Sequence, residues 1–201
     1  QVRPIVHALP YFVALPTTSG TGSEVGRASV VSENETHLKR VVFSAKILAK
    51  TVFADPELTF GLPAHVTAAT GMDALTHNVE SYLSPACHPL CDGIAREGTR
   101  IAAHALERAV APPGDIAARS DMMMPSMMSA IAFQKDLGAV PSCAHALGPV
   151  VDMHHGLANG IMIDHVMRFN SPAAMDKFRV LAQCAGVDTA DGAASAEAFI
   201  G

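Results

Sequence analysis

Residues 63–82 read PAHVTAATGMDALTHNVESY. Pro63 suits the first position of a helix and Ser84-Pro85 stops one, so the stretch is predicted as a single long helix. On it, Asp73 and His77 are four residues apart and share a face. A carboxylate and an imidazole so placed can grip one ion, or they can form an ion pair or a satisfied polar pair. The stretch also divides the chain, because the patterns on its two sides differ.

Upstream, YFVALP (11–16) reads as a short buried strand and TTSGTGSE (17–24) as a loop. ASVVS (28–32) and KRVVFS (39–44) predict a hairpin with ENETH (33–37) as its turn. TVFADPEL (51–58) predicts a further strand that ends at the Asp55-Pro56 turn. Downstream the pattern is helical. Helices are predicted from about Leu90 to Val110, stopped by Pro112-Pro113-Gly114, and from Ile116 to Phe133, where Pro125 is expected to kink the helix or cost about 3 kcal/mol. Shorter ones are predicted at 141–149 and 156–169, and Ser171-Pro172 supplies a cap and first position for the next. AEAFIG falls in the middle of what reads as another helix, so the sequence is expected to be an internal piece of a longer protein.

Composition limits the function. In 201 residues, 49% hydrophobic and 16% charged content allows a sizeable core and argues against disorder. A net charge of -5 gives no basic footprint for nucleic acid. No apolar run approaches the length of a membrane span, and QVRPIVHALP has no signal-peptide pattern. The four cysteines form no disulfide framework, which points to a reducing cytoplasm. Cys87-His88-x-x-Cys91 lacks the second half of a zinc finger, and its thiols read as ordinary ones. The methionines at 122–124, 127 and 128 read as adaptable core packing, and Lys135 and Asp136 as surface charges near a turn.

The ten histidines call for a reason. His145 and His155 stand ten residues apart around a predicted Gly148-Pro149 break, where two helices can both aim side chains at Asp73 and His77. Taken alone, His155 could equally cap a helix, and His154 faces solvent or outer partners. A set of Asp73, His77 and His155 with an open position suits catalytic iron or zinc. The loop TTSGTGSE follows a strand, and its small residues let backbone N–H groups approach a phosphate or ribose, although it is not the GxGxxG fingerprint.

TTSGTGSEV, DPEL, GMDALTH, AFQKDLGAV before HALG, and HHGLANGIMIDHVMRFN occur in the order seen in iron-containing (group III) alcohol dehydrogenases, and the chain resembles the middle of such an enzyme. The resemblance implies α/β plus all-α architecture in a dehydroquinate synthase-like two-domain fold. Residues 1–58 would be a remnant of the α/β nucleotide-binding domain, and 59–201 a C-terminally incomplete helical metal-binding domain. It further implies Asp73, His77 and His155 as ligands of a divalent metal (iron, with zinc as the alternative). Thr17, Thr18 and Thr21 would contact NAD or NADP, with Lys39 reaching it from the hairpin; Lys39 also reads as a solvated hairpin charge. The implied reaction is hydride transfer between an alcohol and the nicotinamide, with the metal as Lewis acid.

One ligand of the family pattern is missing. The histidine expected four positions before His145 is Pro141 here, which has no donor atom but fits the first turn of a helix. His145 itself matches a histidine lining the family's cleft, and proton relay is the role expected of it. The expected partner is a small-molecule alcohol or aldehyde, without nucleic acid or membrane, and the full-length form is expected to be a homo-oligomer. The alternatives are a maleylacetate reductase-like or glycerol dehydrogenase-like enzyme, or a diverged, truncated member that no longer turns over.

Overall fold

In the computed structural model the described residues are 5–35, 39–111, 115–187 and 191–201, without the side chains of Lys39 and Pro149. The strands make two small pairings. β1 (Val13–Ala14) lies parallel to β4 (Thr51–Val52), and β2 (Ala28–Ser32) pairs antiparallel with β3 (Lys39–Phe43), Val30 facing Val41. The predicted turn at 33–37 reaches into residues outside the described ones. YFVALP is not a buried strand: Tyr11 is 72% and Leu15 55% exposed. Among the described residues β1 has one neighbouring strand, so its side chains stand uncovered.

Seven helices follow among the described residues: α1 (Ala64–Leu83), α2 (Pro89–Val110), α3 (Ile116–Ala132), α4 (Ala139–Val151), α5 (His155–Asn170), α6 (Met175–Cys184) and α7 (Gly192–Ile200). At several helix ends a side chain meets the open backbone groups: Asp115 and Asp191 cap the starts of α3 and α7. His88 Nδ1 accepts the Cys91 N–H at the start of α2, which explains the Cys-His-x-x-Cys pattern as a cap. Lys177 donates to the carbonyls of Tyr82, Leu83 and Ser84, placing a cation at the C-terminus of α1.

Small residues set how closely the helices pack. Ala74 of α1, Ala102, Ala105 and Ala109 of α2, and Ala118 of α3 form one buried cluster with Met122. A second cluster, including Val79, Val140, Met167, Phe178 and Leu181, joins α1 to α4, α5 and α6. Met122 and Met123 lie in the core as expected, but Met124 faces outward at 48% exposure. Arg119, buried in α3, donates to the Thr59 carbonyl and the Thr67 hydroxyl, and so ties the segment before α1 to the helices.

Three expectations are corrected, at the α4 break, at Ser171-Pro172 and at Lys135. α3 holds Pro125 in its interior, as expected; Pro125 is buried, and its carbonyl accepts from Asn78 Nδ2. The absent N–H removes one helical bond, and packing on both sides holds the turn together. α4 likewise continues past Gly148 and Pro149; the break comes at Asp152, whose φ of 50° lies in the left-handed region. Ser171-Pro172 does not start the next helix but forms a 3-10 turn (Ser171–Ala173) that continues α5, and α6 begins at Met175. Lys135 is no surface charge: its side chain is 1% exposed and its ammonium bonds Asp92 at 2.5 Å, because only a paired cation can be buried there. Among the described residues no helix is long and apolar enough to cross a membrane.

α5 crosses α1 at closest approach where Gly156 meets Ala69. A Cβ at Gly156 would lie 2.2 Å from the Ala69 carbonyl oxygen, which is backbone and cannot step aside. Gly156→Ala is therefore expected to lower the unfolding free energy by about 2 kcal/mol or more. Urea denaturation checks this, and an unchanged midpoint would contradict the close crossing.

Candidate metal centre

α1 carries Asp73 and His77 on its buried face, at 3% and 2% exposure. The Asp152 break turns the chain so that α5 starts at His155, directly opposite them. Asp73 Oδ1 is 3.7 Å from His77 Nε2 and 3.4 Å from His155 Nε2. One donor atom from each of the three residues lies within 4.8 Å of the others. Ligands at about 2.1 Å from a tetrahedral ion stand roughly 3.4 Å apart, so this spacing fits a single cation.

The ion-pair reading of Asp73 and His77 fits less well. Their separation exceeds a hydrogen bond. Burial pushes the His77 imidazole below its ordinary pKa; the Asp73 carboxylate pulls it up and His145 pushes it down. A neutral imidazole makes no ion pair, but it is the form that ligates a metal.

Around the three residues stands a layer that orients them. Asn159 Nδ2 donates to Asp73 Oδ1 at 2.5 Å and lies 3.2 Å from His155 Nε2. The Thr21 hydroxyl donates to Asp73 Oδ2 at 2.6 Å. Glu80, 1% exposed, accepts the backbone N–H groups of Gly138 and Val140 on Oε2 at 3.0 and 3.2 Å, and so binds the start of α4 to α1. Sequence reasoning missed Asn159 and Glu80. A signal existed for both: Asn159 follows His155 by one helical turn, and Glu80 follows His77 by nearly one.

Pro141 sits buried in the first turn of α4, and the half-buried His145 follows it on the same face. His145 stands beside the three donors, with its ring centroid 5.0 Å from that of His155. Pro141 and His145 line a cavity of about 730 Å³ with Thr21, His77, Phe133 and His155. A second cleft of about 420 Å³ opens at the end of β1, lined by Thr18, Thr21 and Glu24 among others. Thr17 and Thr18 are exposed at that end, whereas the Thr21 hydroxyl is committed to Asp73. The side chain of Lys39 lies outside the described residues.

Residues 67–200 match the family model described as Fe-containing alcohol dehydrogenase family, C-terminal, and residues 1–56 match that of iron-containing alcohol dehydrogenase. The chain is 40% identical over 205 residues to 1,3-propanediol dehydrogenase of Klebsiella pneumoniae, covering 99% of this chain and 53% of that protein. It superposes on a crystal structure of 1,3-propanediol oxidoreductase with a TM-score of 0.93 at 40% identity, covering 98% and 52% of the two chains. On sulfoacetaldehyde reductase from Bifidobacterium kashiwanohense, solved in complex with NAD+, the TM-score is 0.84 at 32% identity, covering 97% and 53%. The chain thus spans about half the length of the curated relatives it matches.

Glu80 makes the junction of α1 and α4 sensitive to pH. Burial pushes its carboxyl up from 4.5 to about 7, against the downward pull of the Val140, Gly138 and Ala139 amides. The folded state therefore holds a proton that the unfolded chain has released, so this contribution is full below pH 4.5 and is lost as pH rises through about 7. A rise of this size corresponds to roughly 3 kcal/mol. Glu80→Gln is expected to remove that slope, so the difference in unfolding free energy between wild type and variant should change across this range. Parallel stability curves for the two proteins would contradict it.

Proposed function

Because the chain belongs to the iron-containing alcohol dehydrogenase family, we propose that it serves hydride transfer between an alcohol and NAD or NADP, with one divalent metal held by Asp73, His77 and His155. The reaction interconverts alcohol and aldehyde or ketone. The observation that carries this reading is the convergence of the three donor atoms beside a cavity that His77, His155 and residues of the 17–24 loop line. Two imidazoles and one carboxylate with an open side are a donor set suited to iron(II). Bound there, the metal supplies Lewis acidity toward the alcohol oxygen and the dinucleotide supplies the hydride acceptor.

The chain's own residues have separate tasks in this scheme. Asp73 provides the anionic oxygen, and Asn159 fixes its direction. Burial pushes His77 toward the neutral imidazole. Thr18, at the cleft beside β1, and the exposed Thr17 before it contact the dinucleotide together with the backbone of Thr21, and Lys39 is assigned to it from β3. His145, at the cavity wall next to His155, carries the alcohol proton toward solvent. Residues 1–58 belong to the nucleotide side and 59–201 to the helical metal side. The four cysteines are free thiols, which suits a reducing cytoplasm. A homo-oligomer is the assembly expected of the full-length protein.

A second reading, a family member that no longer turns over, is favoured by one observation: the buried wall position that would carry a fourth ligand is Pro141. Metal analysis after dialysis separates the two. The active reading expects close to stoichiometric metal, with Pro141→His tightening its retention by about tenfold or more, the scale on which a site responds to its surrounding groups. No metal in the wild type and none restored by Pro141→His would end it. In the presence of metal, His145→Ala should alter the pH–rate profile of alcohol oxidation, and an unchanged profile would remove the relay role.

A further inference from the structure

The geometry assigns Thr21 a task different from that of its neighbours in the loop: we infer that it is the positioning residue of Asp73, and that through it the 17–24 loop and the metal site order one another. This rests on the reading of Asp73, His77 and His155 as metal ligands.

The Asp73 carboxylate uses its two oxygens differently. Oδ1 faces the Nε2 atoms of His77 and His155 and accepts from Asn159. Oδ2 accepts the Thr21 hydroxyl at 2.6 Å, a short hydrogen bond to a charged acceptor. Held in this way, the carboxylate presents one oxygen to a cation and keeps its plane fixed. The loop that supplies the hydroxyl is itself seated on two helices. At Gly20 a Cβ would lie 3.2 Å from Thr70 Cβ and 3.5 Å from Asp73 Oδ2. At Gly22, where φ is 71°, a Cβ would lie 2.2 Å from the Ser126 carbonyl oxygen of α3. Thr21 is thus clamped between α1 and α3 with its hydroxyl turned inward.

Thr21 is also shared between the two cavities, the cleft beside β1 and the cavity of the metal centre. A ligand in the first rests on the loop, and a cation in the second acts on Asp73. Coupling between two binding events is reciprocal, so whatever order the cation gives the loop, a loop ligand returns as cation affinity. The contact lies between residues 52 positions apart, and no local spacing rule reports it.

The test uses the full chain stripped of metal and titrated with Co²⁺, followed by visible absorption, for wild type, Thr21→Val, Thr21→Ala and Thr21→Ser. Amide hydrogen exchange of residues 17–24 is measured with and without Co²⁺. Loss of the hydroxyl in the Val and Ala variants should weaken Co²⁺ binding by about tenfold or more, while Ser, which keeps the donor, should stay within about threefold of wild type. Co²⁺ should slow exchange in the loop of wild type and Thr21→Ser but not of the other two, with exchange in α2 alike in all four. Equal Co²⁺ affinity in wild type and Thr21→Val, or a wild-type loop indifferent to Co²⁺, would overturn the inference. No saturable Co²⁺ binding by wild type would overturn the reading of the site itself, and this inference with it.

Discussion

A carboxylate at 3% exposure has lost its water and must find its partners inside the protein. Asp73 meets that demand with Thr21 from the loop after β1 and Asn159 from α5, and it faces two imidazoles from α1 and α5. Three segments far apart in the chain are therefore held at one point by the needs of one side chain. The alanine cluster under α1 and the glycine crossing at Ala69 allow the backbones to come close enough for these contacts. Packing makes the approach feasible, and the buried charge gives it a fixed register.

Burial pushes two groups on α1 toward their neutral forms. His77, fully inside, is pushed toward the neutral imidazole. Glu80, one turn further along the same helix, is pushed toward its protonated form even though backbone amides aim at it. Lys135 remains beside Asp92. The two groups pushed toward neutrality both lie on the buried face of α1, where an unpaired charge is costly.

Much of this was legible in the sequence, and the reasons for the rest are physical. The long helix of residues 63–82, the hairpin, and the pairing of Asp73 with His77 follow from local periodicity and caps, which one segment determines by itself. The break between α4 and α5 was misplaced because Gly148-Pro149 looks like a stop, whereas the turn is made by Asp152 in a left-handed conformation that an aspartate tolerates without announcing it. YFVALP looked buried because apolar runs usually are; whether a strand is covered depends on its neighbours, and a local pattern does not contain them. Lys135 was misjudged for the same reason, since its partner Asp92 is 43 positions away. At the site, the spacing of His145 and His155 hints at His155 as a partner, and the order of motifs along the chain gives that reading most of its weight. The Thr21 and Asn159 contacts required the folded geometry.

Pro141 stands in the first turn of α4, where backbone N–H groups have no intrahelical acceptor to lose and where Glu80 already holds the amides on either side of Ala139. The backbone of that turn can therefore carry either proline or histidine. The genetic code separates these two residues by a single base. Exchange between a wall with a donor and a wall without one therefore costs the backbone of that turn no hydrogen bond, and what changes is the donor that the cavity wall offers.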